Sequence, residues 1–244
     1  MIEVSDLRKT FGQVHALDGV GFEARDGEVT GLLGPNGAGK TTALRILYGL
    51  MRCDGGSVRV DGVDALSDPS GAQAKLGALP DSHGLYPRLT ARENIRYFGR
   101  LQGVSRKVVD ERIEELVPVL DMGDVIERRA EGFSHGERMK TSLARALIHR
   151  PRNILLDEPT NGLDVMSVRA LRGIIQNLRT QGCCVLFSSH VMQEVSALCD
   201  RIIIISAGRV AATGTPDDLR RQTGQDNLED AFVALTGISE EAQV

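Results

Sequence analysis

The stretch that decides the fold of this chain is Gly34-Pro35-Asn36-Gly37-Ala38-Gly39-Lys40-Thr41-Thr42. It fits the pattern G-x-x-x-x-G-K-[ST], a glycine-rich loop whose backbone N–H groups surround a phosphate. Lys40 would reach the β- and γ-phosphates of a nucleotide, and Thr41 would be a ligand of Mg²⁺. The apolar run at 28–33 predicts a strand before the loop, and the apolar face at 41–48 predicts a helix after it. Strand, loop and helix therefore come in the order that a phosphate-binding loop requires.

Composition bounds the class of protein. The chain has 244 residues and a formal net charge of −4. This length favours one large α/β domain or a core domain with a subdomain, and the acidic balance argues against a nucleic-acid partner. The four cysteines lack metal-ligand spacing, and the longest aliphatic run, at 202–205, is far shorter than the ~20 residues of a membrane helix. We expect a soluble chain in a reducing compartment, so that any membrane span comes from a partner.

The order of elements predicts an α/β fold, a P-loop NTPase core with a mostly parallel sheet. An N-terminal antiparallel β flap is predicted from strands at 2–7, 19–24 and 57–60, beside the phosphate strand at 28–33. The segment 90–150 is almost continuously helical in pattern, which indicates a helical subdomain, about 88–150, inserted in the core. From residue 153, short apolar strands alternate with helices, as is typical of a parallel sheet covered on both faces.

The C-terminal end predicts one more helix. Leu228, Ala231, Phe232 and Leu235 recur at helical spacing, so we expect a docked terminal helix with a frayed end. The predicted domain boundaries are 1–220 for the main domain and 221–244 for the helical tail.

Two carboxylates, Asp157 and Glu158, end the apolar run at 154–156. The carboxyl edge of a parallel sheet is where acids meet a phosphate site. Asp157 would hold Mg²⁺ and Glu158 would act as the general base on an attacking water. An exposed acidic turn is the alternative interpretation, and the phosphate loop weighs against it.

From about residue 2 to residue 219 the chain resembles the nucleotide-binding subunits of ABC transporters. The run at 133–137, FSHGE, stands where the family has LSGGQ. By this resemblance Ser134, Gly136 and Glu137 would face the γ-phosphate bound to a second copy of the chain. A Ser-capped helix N-terminus offers N–H groups and a positive dipole end to an anion, although an ordinary capped helix has the same pattern.

The resemblance implies roles for four further residues. Asp164, in the run NGLD, matches the D-loop that connects the two active sites. His190 matches the switch histidine that contacts the γ-phosphate, whereas a lone histidine at a strand end is usually structural. Phe11 matches the aromatic residue that stacks on adenine, and a core position is its alternative. Asp81 replaces the usual glutamine of the Q-loop, and we hypothesise that it keeps a contact with the metal.

The segment 84–98 matches the region that receives a helix from the membrane partner. Tyr86, Leu89, Tyr97 and Phe98 are predicted to form that groove or to belong to the core. Together with FSHGE and the tail at 227–237, this segment is most similar to ATPases of ABC-2-type exporters, including sodium-efflux and drug-resistance systems.

The resemblance implies an ATPase with Lys40, Glu158 and His190 as catalytic residues and with ATP and Mg²⁺ as cofactors. Two copies would dimerise head to tail around two MgATP and drive a separate membrane permease, with the chain peripheral on the cytoplasmic face. The alternative is a soluble ATP-driven switch on the ribosome or DNA. Such relatives carry two cassettes or a long coiled-coil insertion, and this sequence has neither. A GTPase is disfavoured because the sequence has no N-K-x-D run.

Overall fold

A computed structural model describes residues 1–81 and 84–237 of the chain. Within these ranges the strands are β1 Ile2–Phe11, β2 Val14–Ala24, β3 Val29–Leu33, β4 Gly55–Val60, β5 Val63–Asp64, β6 Leu76–Leu79, β7 Asn153–Asp157, β8 Cys184–Ser189, β9 Arg201–Ser206 and β10 Arg209–Gly214. The α-helices are α1 Lys40–Leu47, α2 Pro69–Gln73, α3 Ala91–Leu101, α4 Arg106–Val119, α5 His135–Leu147, α6 Val165–Thr180, α7 Met192–Leu198, α8 Pro216–Thr223 and α9 Leu228–Thr236.

The larger sheet has six strands in the order β10-β9-β3-β8-β7-β6. The five strands from β9 to β6 run parallel, and β10 is antiparallel to β9. Every residue of β3, β7 and β8 is buried, which explains their almost continuous apolar sequences. Because these three strands are neighbours, the loops that follow them meet at one edge of the sheet. The predicted P-loop NTPase fold is confirmed.

The smaller sheet is antiparallel, in the order β2-β1-β4-β5, and corresponds to the predicted flap. Side chains alternate across the larger sheet, so Leu155 and Leu186 share one apolar cluster with Leu7 and Val20 of the flap. Burial of this apolar surface stabilises the packing of the flap against the larger sheet.

The helical segment packs against the other face of the larger sheet. Leu156 and Phe187 belong to a second cluster that contains Ile95 of α3, Ile113 of α4 and Leu143 of α5. The predicted capping boxes start α3 and α5: the Thr90 and Ser134 side chains accept from the N–H groups of the glutamates three residues later. The limits 1–220, 88–150 and 221–244 remain predictions.

Several elements differ from the sequence-based expectation. Strand β2 begins at Val14 instead of residue 19, because the strand continues through Gly19 with a shift in register against β1. Helices α2 and α8 were not predicted, although each begins with a side-chain cap and a proline at the first helical position. The terminal helix α9 is confirmed, and its predicted frayed end lies outside the described residues. None of the described helices combines the length and the apolar character needed to cross a membrane.

Candidate functional site

The glycine-rich loop connects β3 to α1 at the carboxyl edge of the larger sheet. Gly39 precedes the helix with φ of 110°, and a Cβ atom there would lie 2.5 Å from the carbonyl oxygen of Ala16. Only glycine fits this position. Helix α1 begins directly at Lys40, so its first N–H groups and its positive dipole end point into the loop. The loop is therefore built to receive an anion.

Lys40 places a buried ammonium group inside the loop. Its side chain is 5% exposed, and Nζ donates to the carbonyl oxygens of Gly34 at 2.6 Å and Pro35 at 3.3 Å. Glu158 Oε1 lies 3.4 Å from the same nitrogen. Two carbonyl oxygens and one carboxylate thus surround the positive charge.

Asp157 ends β7 beside this ammonium group. Its Oδ1 atom accepts from the Ser188 hydroxyl at 2.6 Å and from the Thr41 hydroxyl at 3.4 Å. Its Oδ2 atom is buried and has no hydrogen-bond partner. Burial raises the pKa of this carboxyl; the charges of Asp81 and Glu158 act in the same direction, and the Ser188 hydrogen bond opposes them.

The buried Oδ2 atom of Asp157, which has no hydrogen-bond partner, bears on whether the site fits a magnesium ion. A buried acceptor without a partner is costly, and a hard cation bound by oxygen ligands removes that cost. Thr41 and Asp157 supply such oxygens side by side. Among residues 1–81 and 84–237, no cluster of three or more His, Cys, Asp or Glu side chains could hold a metal on its own. The donors present fit an ion that shares its ligands with a phosphate.

The backbone conformation of Glu158 directs its side chain toward the phosphate loop. It has φ of 48°, an uncommon conformation for a residue other than glycine, and its N–H donates to the Ser188 hydroxyl at 2.9 Å. Its Oε2 atom lies 2.8 Å from Nδ1 of His190, which follows β8. The carboxylate therefore stands between the Lys40 ammonium and the His190 ring.

Lys40, Glu158 and His190 line a cleft of about 450 Å³, whereas Asp157 lies behind Thr41 and is not among its lining residues. The cleft brings together most of the residues predicted from the phosphate loop, the carboxylates and the switch histidine. The lining residues are Ala16, Pro35, Asn36, Gly37, Ala38, Gly39, Lys40, Thr41, Thr42, Asp81, Glu158, Asn161 and His190. Ala16 and Asn161 were not predicted, although Asn161 opens the NGLD run. Asp81 also lies 3.7 Å from the Arg45 guanidinium.

Phe11 and the signature residues are not among the lining residues of this cleft. Phe11 ends β1 and is 47% exposed, with the Lys9 ammonium 5.5 Å from its ring centre. Ser134 and Glu137 cap α5, and Asp164 caps α6 by accepting from the Ser167 N–H at 2.9 Å. The two caps are neighbours, because a Cβ atom on Gly136 would lie 3.2 Å from the Ser167 hydroxyl. The capped starts of α5 and α6 therefore lie next to each other and outside the lining of the cleft.

A separate cavity of about 300 Å³ lies between the sheet and the helical segment. Phe98, Arg145 and His149 contribute to its lining. Phe98 also packs against Tyr97, with ring centres 5.4 Å apart, and Tyr97 packs against Tyr86 at 5.3 Å. The Arg145 guanidinium lies 4.4 Å above the Phe98 ring. Of the four residues predicted to form a groove, Phe98 lines this cavity and the two tyrosines extend it as an exposed aromatic cluster.

Comparison with known proteins identifies the family. The family model described as ABC transporter matches residues 17–161. The ABC transporter ATP-binding protein NatA of Bacillus subtilis is 42% identical, with 98% of this chain and 100% of that protein covered. The linearmycin resistance ATP-binding protein LnrL of the same organism is 34% identical, with 98% and 76% covered. The chain belongs to the ABC transporter family, as the resemblance predicted.

Solved structures agree with this assignment. A structure of an ATP-binding subunit of an ABC transporter superimposes with a TM-score of 0.89 at 30% identity, covering 96% of this chain and 99% of that one. A dimeric bacterial ABC transporter cassette, MJ0796, superimposes with a TM-score of 0.80 at 25% identity, covering 88% and 98%. The chain is an ATP-binding and ATP-hydrolysing member of the family.

Proposed function

We propose that this chain is the ATPase subunit of a membrane exporter and that two copies close head to tail around two MgATP. The observation that carries the proposal is that the phosphate loop and the capped start of α5 do not share one cleft within the chain. The cleft holds Lys40, Glu158 and His190, whereas the Ser134 helix cap lies elsewhere. A second copy turned by a two-fold axis can supply the missing cap to each cleft. The dimeric cassette among the similar structures supports this arrangement.

Thr41 and Asp157 would hold Mg²⁺, with Asp81 near enough to contribute a further oxygen. Bound there, the ion supplies neutralisation of phosphate charge. The buried Oδ2 of Asp157 supports its place in the ligand set, since no protein donor reaches it.

The chain's own residues supply binding, orientation and proton transfer. The N–H groups of 37–41 and the Lys40 ammonium bind the phosphates, which positions the terminal phosphate for attack by water. Glu158 accepts the proton of that water at its carboxylate, and His190 orients the terminal phosphate from the opposite side. The capped α5 of the second copy excludes water and adds N–H groups to the developing charge.

The partner would be an integral membrane permease of one or two subunits, which places the chain on the inner face of the membrane. The name of the linearmycin resistance relative favours export as the direction of transport. The Tyr86, Tyr97 and Phe98 cluster beside the second cavity supplies an exposed aromatic surface on which such a partner could dock.

Light scattering tests the dimer. Glu158→Gln keeps the shape of the site but removes the base, so MgATP should hold this variant as a long-lived dimer that EDTA returns to monomer. The matched control is Glu111→Gln, on the exposed face of α4, which should behave as wild type. A Glu158→Gln protein that stays monomeric with saturating MgATP would contradict the proposal.

A further inference from the structure

A buried carboxylate connects the turn that carries Glu158 to the turn that carries His190. Glu194 lies in the first turn of α7 and is 8% exposed. Its Oε2 atom accepts from the Thr160 hydroxyl at 2.5 Å and from the Ser189 hydroxyl at 3.4 Å. Thr160 is two residues after Glu158, and Ser189 directly precedes His190. One carboxylate oxygen therefore touches both turns.

Ser189 and Thr160 also take part in the hydrogen bonds that shape their own turns. The Ser189 oxygen accepts from the Val191 N–H at 3.0 Å, so it ties together the two residues that flank His190. In the other turn, the Asn161 N–H donates to the Glu158 carbonyl at 3.1 Å, and the Leu163 N–H donates to the Thr160 carbonyl at 3.1 Å. A displacement of the Glu194 carboxylate would therefore shift the backbone of both turns.

Beyond the bond from the Glu158 N–H to the Ser188 hydroxyl, two further links join the turns, one at the surface and one in the interior. The outer link is the 2.8 Å contact between His190 and Glu158, and the His190 side chain is 44% exposed. The inner link is the Glu194 carboxylate with its two hydroxyl donors. The outer link has to open when Glu158 and His190 turn to a water and a phosphate. The inner link does not, because none of its atoms faces the cleft.

A buried carboxylate is expensive to retain unless hydrogen bonds satisfy it. Leucine would satisfy the packing of α7 on the sheet, where Val195 and Leu198 already belong to the apolar cluster. The carboxylate instead accepts at Oε2 from the Thr160 and Ser189 hydroxyls. Its position is explained by the two turns that it connects rather than by the core that it interrupts.

We propose that Glu194 is a positioning residue for hydrolysis, which holds the Glu158 turn and the His190 turn in register while their side chains act on the substrate. This inference rests on the proposed ATPase function. Glu194 touches neither nucleotide nor water; it acts through Thr160 and Ser189.

Substitution of Thr160 gives the sharpest test. Thr160→Val has the same shape without the hydroxyl, and Thr160→Ser keeps the hydroxyl. We expect Thr160→Val and Glu194→Gln to lower kcat about tenfold or more, since small displacements of reacting groups have effects of that size. The KM for ATP should change less than about twofold, because the phosphate loop is untouched. Thr160→Ser should recover most of the rate, with kcat expressed per molecule that binds ATP.

A matched control separates position from stability. Thr223→Val removes a hydroxyl that donates to the Leu219 carbonyl at 3.0 Å in α8, far from both turns, and should leave kcat unchanged. Equal rates in Thr160→Val and wild type, or a loss that Thr160→Ser fails to recover, would overturn the inference.

A spectroscopic experiment tests the inference independently of the rate of ATP hydrolysis. The ring nitrogen signals of His190, assigned by their loss in His190→Gln, should shift in Thr160→Val and in Glu194→Gln but not in Thr223→Val. Unchanged ring signals would overturn the positioning role. If the wild type hydrolysed no ATP, the proposed function would fail, and these spectra would still answer whether Glu194 positions His190.

Discussion

The ammonium nitrogen of Lys40 lies 3.4 Å from the carboxylate of Glu158. Both side chains are largely buried, so each compensates the charge of the other. A triphosphate brings a stronger anion into the loop, and the lysine can turn to it without crossing the cleft. An ion pair therefore couples the residue that we propose to bind the phosphate with the residue that we propose to activate water.

Lys40→Met should weaken ATP binding about 10- to 100-fold, because a hydrogen bond from a charged donor to an anion contributes about 1.5–3 kcal/mol. Titration with a fluorescent ATP analogue measures the effect. Lys107→Met, in which an 88% exposed lysine of α4 is replaced, is the control and should bind as wild type. Equal affinity of the two variants would show that Lys40 does not contact the phosphates.

Asp157→Asn should stabilise the protein in EDTA, and more so at high pH. Burial raises the pKa of the folded carboxyl, so the folded state holds this proton more tightly than the unfolded state does. The resulting loss in the free energy of unfolding is absent below the ordinary pKa of about 4 and fully present above the raised pKa. We expect the variant to melt about 2–4 °C above wild type at pH 8, as ~1 kcal/mol would give for a chain of this size.

The difference in melting temperature should shrink as the pH falls toward 4. MgATP should then stabilise the wild type more than Asp157→Asn, because the variant lacks the anionic oxygen for the ion. A difference in melting temperature that stays constant from pH 4 to pH 8 would contradict this explanation.

Ser134→Ala should impair ATP-driven dimerisation while leaving ATP binding by the monomer intact. It removes the cap of α5 and costs about 1 kcal/mol of stability. Thr90→Ala removes an equivalent capping box from α3 and should cost the same stability without affecting dimerisation. Both variants would be made in the Glu158→Gln background and compared by light scattering. Equal dimer populations would argue against a role for the α5 cap at the second site.

Gly208→Ala should weaken ATP binding although Gly208 is not part of the cleft. Its N–H donates to the Ala38 carbonyl at 3.1 Å. Because C=O and N–H point oppositely in a trans peptide, this bond turns the Gly39 N–H toward the phosphate. Gly208 has φ of 74°, and a Cβ atom would lie 3.0 Å from the carbonyl oxygens of His15 and Ala16.

The strain of Gly208→Ala, about 1–2 kcal/mol, should appear as a higher Kd for ATP in equilibrium binding. Gly224→Ala has similar backbone strain at φ of 69°, with no atom within 4 Å of the new Cβ, and should not change the Kd. Identical Kd values for the two variants would show that the contact with Ala38 is dispensable.

The sequence predicted the parts of the site that follow from short motifs. The loop at 34–42 and the pair Asp157 and Glu158 were identified because a parallel sheet brings strand ends to one edge. His190 was identified only through resemblance, since a single histidine forms no sequence pattern with other residues. The structure now places it 2.8 Å from Glu158.

Residues whose role depends on tertiary contacts escaped prediction. Glu194 has the sequence context of an exposed helical glutamate, and its burial arises only when α7 packs beside β8. Gly208 belongs to an ordinary hairpin turn, and its contact with Ala38 exists only because β9 lies next to β3. No local pattern encodes either neighbour.

The strand that leads into the phosphate loop acquires both of its neighbours late in synthesis. Strand β3 pairs with β8 at Val185–Ser189 and with β9 at 201–204, so neither side of it can be covered until residue 185 has been synthesised. Pairings between such distant segments form slowly. The segment 17–161 that matches the family contains the loop and its acids, yet it lacks both of these strands. A nascent or truncated chain that ends there would carry the whole phosphate loop without either of the strands that flank β3.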